Sequence, residues 1–99
     1  MILEIAQINV KPEMEAAFEQ GVAKAVPYFN KARGCRRLEL RKVVEIPGLY
    51  HLMVEWETLD DHMLVFRNSE DFQKWRECVA HCFSTPPVVI HSAQVISGF

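Results

Sequence analysis

Tyr50, Leu52, Val54 and Trp56 put an apolar side chain at every second position, and Leu38, Leu40 and Val44 share one face of a second run on the other side of Pro47-Gly48. A period of two marks a strand with one buried face. Two such runs about a Pro-Gly turn predict a β-hairpin, with strands from about Arg36 to Ile46 and from Tyr50 to Glu57. All of these positions are even-numbered, so opposed residues sum to an even number. That parity requires an odd-length connection such as Pro47-Gly48-Leu49, or a bulge. The same register sets Arg41 opposite Glu55 and Glu45 opposite His51 on the other face, where charge agrees with hydrophobicity.

The flanking segments supply cover for this hairpin. Ile2 to Val10 is rich in aliphatic residues and ends at Lys11-Pro12, which reads as a strand. Pro12 suits the first turn of a helix, and Glu13 and Glu15 complement its positive end. Met14, Phe18, Val22, Val26 and Phe29 then recur at spacings of three and four as one apolar stripe, and Pro27 with Gly34 places the helix end near Asn30. Thr58-Leu59-Asp60-Asp61 and Ser69-Glu70-Asp71-Phe72 are helix-start signatures. They predict a short helix from about Leu59 to Arg67 and a longer one from about Glu70 to Phe83. Phe72, Trp75, Val79 and Cys82 or Phe83 form the buried stripe of the second. Pro86-Pro87 ends it, and Val88 to Ile96 reads as the last strand. The order β-α-β-β-α-β is the split pattern of ferredoxin-like domains, an α+β fold with a four-stranded antiparallel sheet and helices on one face, here one domain over residues 1–99.

Two helices cover only one face of such a sheet, so the other face of a monomer should be polar. Leu3 and Ile5, Val43, Met53, and Val89, Ala93 and Val95 are nevertheless assigned to it. An exposed apolar sheet face marks an interface. A homodimer joined sheet to sheet is therefore expected, with Arg41, Glu55 and His51 paired inside it.

A formal net charge of -2 with interspersed signs argues against a nucleic-acid partner. No apolar run approaches the roughly 20 residues of a spanning helix, and no basic stretch precedes an apolar one at the N-terminus, so no membrane partner and a cytoplasmic location are expected. Cys35, Cys78 and Cys82 are an odd count without paired spacing. Cys78, His81 and Cys82 fall short of the four ligands of a structural zinc site, so the cysteines read as small buried apolar residues. No phosphate-binding glycine loop, serine elbow, zinc helix or dinucleotide fingerprint is present, which favours a reaction without cofactor or metal, or none.

Val10-Lys11-Pro12-Glu13, Gly34-Cys35, Tyr50-His51-Leu52 leading to Glu55-Trp56-Glu57, His62 with Phe66-Arg67, then Ser69, Phe72 and Trp75-Arg76 resemble the antibiotic biosynthesis monooxygenase domain of the dimeric α/β barrel group. The likeness covers nearly the whole chain. It implies a ferredoxin-like dimer with a pocket between helices and sheet in each subunit. In the studied members it also implies oxidation of electron-rich aromatic substrates by O₂ without metal or flavin. The actinorhodin-pathway type carries a tryptophan at the end of strand three, with an asparagine four residues before it, a tyrosine six after it and an arginine twenty after it. Trp56 and Arg76 match, Leu52 replaces the asparagine and His62 the tyrosine. The haem-degrading members use an asparagine on strand one and a histidine on the last helix, where this chain has Ala6 and Arg76 or Trp75. Haem breakdown is not expected.

Oxidation of this kind passes through a substrate phenolate or enolate, so the site needs a base and positive charge near the developing anion. His62 is the candidate base, in a first helical turn where the dipole favours the neutral ring, and its alternative is a capping or surface residue. Arg76 either reaches the pocket or pairs with Glu55 or Asp71. Trp56 packs, with its N–H as a potential donor into the pocket. Leu52, Phe66 and Trp75 are the candidate substrate-binding residues, and His81 and His91 are taken as surface or core. The expected function is monooxygenation of a small quinol- or phenol-type aromatic, the alternative a non-catalytic binding or sensory dimer of the same fold.

Overall fold

In a computed structural model describing residues 1–99, the chain forms β1 (Ile2–Asn9), α1 (Glu15–Asn30), β2 (Cys35–Lys42), β3 (Leu49–Trp56), α2 (Glu70–Val79) and β4 (Val88–Ala93). A 3₁₀ turn at Pro12–Met14 leads into α1, a π-helical segment spans Asp61–Phe66, and a 3₁₀ turn at Ala80–Cys82 follows α2. The sheet is antiparallel with order β2-β3-β1-β4, the ferredoxin-like arrangement. No helix is long and apolar enough to cross a membrane.

Even-numbered residues of β1 and β3 face the helices. Ala6, Ile8, Tyr50, Leu52, Val54 and Trp56 are buried there against Phe18, Val22, Ala25 and Phe29 of α1 and Trp75 and Val79 of α2. Burying each large side chain contributes roughly 1.5–3 kcal/mol, so this layer holds the fold together. The α1 stripe runs through Gly21 and Ala25 in place of Val26, which is 41% exposed. Close crossing of α1 and α2 explains the shift, because a Cβ on Gly21 would strike the Cys78 carbonyl and crowd Val79. Both capping signatures operate. The Asp61 N–H donates to Thr58 Oγ1 at 3.1 Å and the Phe72 N–H to Ser69 Oγ at 3.2 Å.

The hairpin keeps its expected parity but lies in a different register. Leu38 opposes Val54, Leu40 opposes Leu52, Arg37 opposes Glu55 and Arg41 opposes His51. Residues 43–48 form a longer connection than Pro47-Gly48-Leu49, carrying Glu45 and Val44, which is 92% exposed. The Gly48 carbonyl accepts from the Val10 N–H at 2.8 Å, which ties the turn to the end of β1 and leaves β2 to stop at Lys42. Arg36 is the residue of a bulge between Cys35 and Arg37. On the open face Arg41 pairs with Glu39 at 3.0 Å, not with Glu55.

β4 also differs in which face it presents. Val89 pairs with Ala6, His91 with Glu4 and Ala93 with Ile2, so Val89 and Ala93 lie on the helix side, while Val88 and Ile90 take the open face beside Gln7 and Ile5. Val88-Val89-Ile90 is apolar on both sides, so its alternation carries no parity to read. Val95 lies beyond the strand.

Gly21→Ala tests the helix crossing. Alanine in an open helix site adds up to about 1 kcal/mol over glycine. Here the added methyl should instead cost about 1–3 kcal/mol by overpacking, seen as a lower urea midpoint with an unchanged slope.

Candidate active site

Glu4 stands on the central strand β1, inside the apolar layer, with 5% of its surface exposed. Its partners reach it from three directions. Trp56, fully buried at the end of β3, donates its indole N–H to Glu4 Oε1 at 3.0 Å. His62, in the π-helical segment, sets Nε2 3.3 Å from the same oxygen. His91, the cross-strand neighbour of Glu4 on β4, lies with Nε2 2.8 Å from His62 Nδ1. The Trp56 and His62 rings are stacked, with centroids 5.1 Å apart and 14° between planes. When Glu4 is ionised its carboxylate can only accept, which favours the His62 proton on Nε2 and leaves Nδ1 to accept from His91 Nε2–H.

The π-helical segment explains how His62 reaches inward. The Arg67 N–H donates to the His62 carbonyl at 3.0 Å, across five residues, which widens the turn and buries both His62 and Phe66 while Met63, Leu64 and Val65 stay exposed. Its start is held by Asp61, paired with Arg33 at 3.3 Å and lying against Gly34, whose φ of 76° and lack of Cβ leave room for that carboxylate.

A cavity of about 330 Å³ opens beside this cluster, between the sheet and α2. Its floor is Glu4, Ala6, Ile8, Leu52 and Val89, its helical wall His62, Phe72 and Trp75, with Arg67 and Arg76 at the rim and Phe83 and Pro87 at one end. The size and the mostly apolar lining with a few convergent polar groups are those of a small-molecule site. No three histidine, cysteine or acidic side chains are arranged to hold a metal ion.

Burial dominates the electrostatics. Desolvation raises Glu4 from 4.5 to about 7, against the opposing effects of the Trp56 hydrogen bond and the Arg67 charge. Burial lowers His62 from 6.5 to about 4, with His91 and Arg67 adding to the effect. His91 is lowered for the same first reason, with Arg67 also contributing. The neutral His62 ring therefore follows mainly from burial, with the neighbouring His91 and Arg67 adding to it.

Over residues 1–77 the chain matches the sequence profile described as antibiotic biosynthesis monooxygenase. It belongs to that family. A crystal structure from Bordetella bronchiseptica, named as a candidate antibiotic biosynthesis monooxygenase, is 52% identical, covers 96% of this chain and 97% of its own, and superposes with a TM-score of 0.94. The uncharacterised protein YczJ of Bacillus subtilis is 38% identical over 96 residues, 96% of this chain and all of that one. A similarly named Nitrosomonas europaea structure is 18% identical, with coverage of 97% and 100% and a TM-score of 0.82, and shares the fold.

Among the candidates of this family member, His62, Leu52, Trp75 and Arg76 line the cavity together. Arg76 is exposed at the rim and makes no ion pair; Asp71 is held by Lys31 and Lys74, and Glu55 lies on the other face of the sheet. Trp56 points its N–H at Glu4 and lies outside the lining. Phe66 packs behind it, 4.9 Å from Phe29 and 5.3 Å from Trp56 between ring centroids. His91, taken from sequence as a surface or core residue, is a partner of His62. Glu4 escapes the sequence reading altogether. Its signal is a carboxylate in the even-numbered, helix-facing series Glu4, Ala6, Ile8 and Val10.

Linkage gives this cluster a pH signature. Glu4, raised in the folded state, contributes stability below about pH 4.5 that is lost as pH rises through about 7, while His62, lowered, contributes stability above about pH 6.5 that is lost as pH falls through about 4. Between these limits folded and unfolded chains hold the same one proton on the pair, so its net slope is near zero. Glu4→Gln removes one half. Its stability should gain on wild type steadily from pH 4.5 to 7, by up to about 3 kcal/mol, in urea denaturation at stepped pH; parallel profiles would contradict the arrangement.

Proposed function

We propose that this monooxygenase-family protein oxidises a small electron-rich aromatic of the hydroquinone or phenol type with O₂, without cofactor or metal. The observation that carries the reading is the half-apolar cavity in which the Glu4–His62 cluster faces Phe72 and Trp75, with Arg67 and Arg76 at the rim. Loss of the hydroxyl proton to the cluster leaves a phenolate, which the two guanidinium groups favour and which gives an electron to O₂. For a hydroquinone the sum is hydroquinone plus O₂ to hydroxyquinone plus water. One oxygen atom forms the new C–O bond, the other leaves as water, and the substrate supplies all four electrons. Trp56 and His62 order the cluster, Arg76 offsets charge, Leu52 and Trp75 shape the space for the ring, and Phe66 supports them from behind Trp56. The reading places residues 1–99 in one domain, working in the cytoplasm.

A homodimer completes it. Met53, Ile5 and Ile90 form a row across three strands of the open face, with Leu3 and Val88 beside them, and Val88 and Ile90 are 57% and 49% exposed. A second copy laid face to face would bury this row. Sedimentation at micromolar concentration should give a dimer mass and Ile5→Lys a monomer; a monomeric wild type would sink the assembly.

Purified metal-free protein should accelerate oxygen uptake with some members of a panel of hydroquinones, anthrones and catechols. His62→Ala, which removes an ordering partner of the cluster, should lower turnover by less than the roughly 10²–10⁴ that loss of the base itself would cost. No uptake, together with saturable quenching of tryptophan fluorescence by the same compounds, would favour the binding role, for which Leu52 in the place of an amide is the leading reason.

A further inference from the structure

Resting on that reading of the pocket, we infer that Glu4, through Oε2, is the group that takes the substrate's hydroxyl proton, and that His62 is a positioning residue held between Glu4 and His91. Three observations carry it. Both nitrogens of His62 face protein partners, Nδ1 bonded to His91 at 2.8 Å and Nε2 lying 3.3 Å from Glu4 Oε1. Glu4 Oε1 takes both the Trp56 and His62 contacts, and Oε2 takes none. No sealed side-chain nitrogen or oxygen lacks a partner, yet Glu4 is a buried residue that lines the cavity. Oε2 is therefore open to the cavity, the one carboxylate oxygen on its floor.

The step is a proton transfer. The O–H bond of the phenol breaks, its electron pair stays on the phenolate oxygen, and the proton forms a new O–H bond on Glu4 Oε2. The neutral acid that results suits an apolar floor, and the charge lost from Glu4 reappears on the ring near Arg67 and Arg76. The groups facing Glu4 are His62 and Arg67 from the segment after β3, His91 from β4, Cys35 from β2 and Arg76 from α2. A folded value of about 7 for Glu4, raised mainly by burial, places it where a base for phenols is effective near neutral pH.

The test uses the ionisation of a bound phenol and needs no oxygen chemistry. 4-Hydroxyacetophenone, whose phenolate absorbs at longer wavelength than its neutral form and than the protein, is titrated with the full-length protein under nitrogen just above pH 7, where Glu4 is ionised and the free probe is still mostly neutral. Wild type should bind it with the phenolate band developed. Glu4→Gln should bind it with that band reduced at least tenfold, whereas His62→Gln should keep a diminished band, since the acceptor remains. An equal phenolate band in Glu4→Gln overturns the assignment, and so does binding to wild type without the band. Should Glu4→Gln not fold, ¹³C NMR of the Glu4 carboxyl in wild type decides, by moving to its protonated shift on probe addition or staying put. Oxygen uptake measured separately judges the monooxygenase reading, so proton transfer without uptake, or uptake without proton transfer, shows which of the two has failed.

Discussion

The bond from the Trp56 indole to the Glu4 carboxylate, with His62 on the same oxygen, is the constraint on which the interior depends. A carboxylate on the central strand, covered by helices, is costly unless it is paired or hydrogen-bonded. Each element near it is shaped accordingly. The last residue of β3 is a tryptophan, able to donate without charge from a fully buried position. The segment after it departs from α-helical winding so that His62 turns inward, and its start is held by Asp61, fitted against Gly34 and paired with Arg33. Arg67, at the other end of the same segment, supplies the nearby positive charge.

The consequence is a redistributed proton within a buried cluster. Burial pushes Glu4 and His62 in opposite directions, so near pH 6 the acid is neutral and the imidazole is neutral, although in water both would be charged. An arrangement of that kind is tuned to exchange a proton and is a poor device for stability, because replacement of a buried pair by apolar residues is often stabilising. A pocket lies directly beside it, bounded by aromatic walls, with the two arginines at its rim. Perturbed carboxyl and imidazole groups that converge on a cavity are the usual company of reacting ligands.

Much of the architecture was legible from sequence because it rests on repeated, redundant signals. The even-numbered series from Tyr50 to Trp56, the capping residues Thr58 and Ser69, and the proline punctuation all point to the same β-α-β-β-α-β order. What was missed rests on single residues or on competing ones. Val88-Val89-Ile90 reads equally well in either orientation, so the face of β4 was settled by its pairing with β1. Val26 looked like core until the close approach of two helices at Gly21 gave the position to Ala25. The hairpin register followed from the capture of the Gly48 carbonyl by Val10, a contact thirty-eight residues away in sequence. His91 and Glu4 carry no local motif, and their meaning comes from being cross-strand neighbours under His62.

The same geometry bears on Leu52. Where the actinorhodin-type pattern has a polar amide on strand three, this chain has an aliphatic residue, buried and paired across the sheet with Ala6. Taken alone, that replacement removes the polar group from the floor of the pocket. Glu4 stands two residues from Ala6 on the same face of β1, so a polar function is restored one strand over, and as a carboxylate in place of an amide. An amide can hold a carbonyl or an oxyanion but cannot take a proton, whereas a buried carboxylate accepts one readily and repels an anion until it has done so. A pocket rebuilt in this way selects for a ligand that arrives as an acid and leaves its proton behind. A neutral phenol meets that requirement, and a preformed phenolate does not.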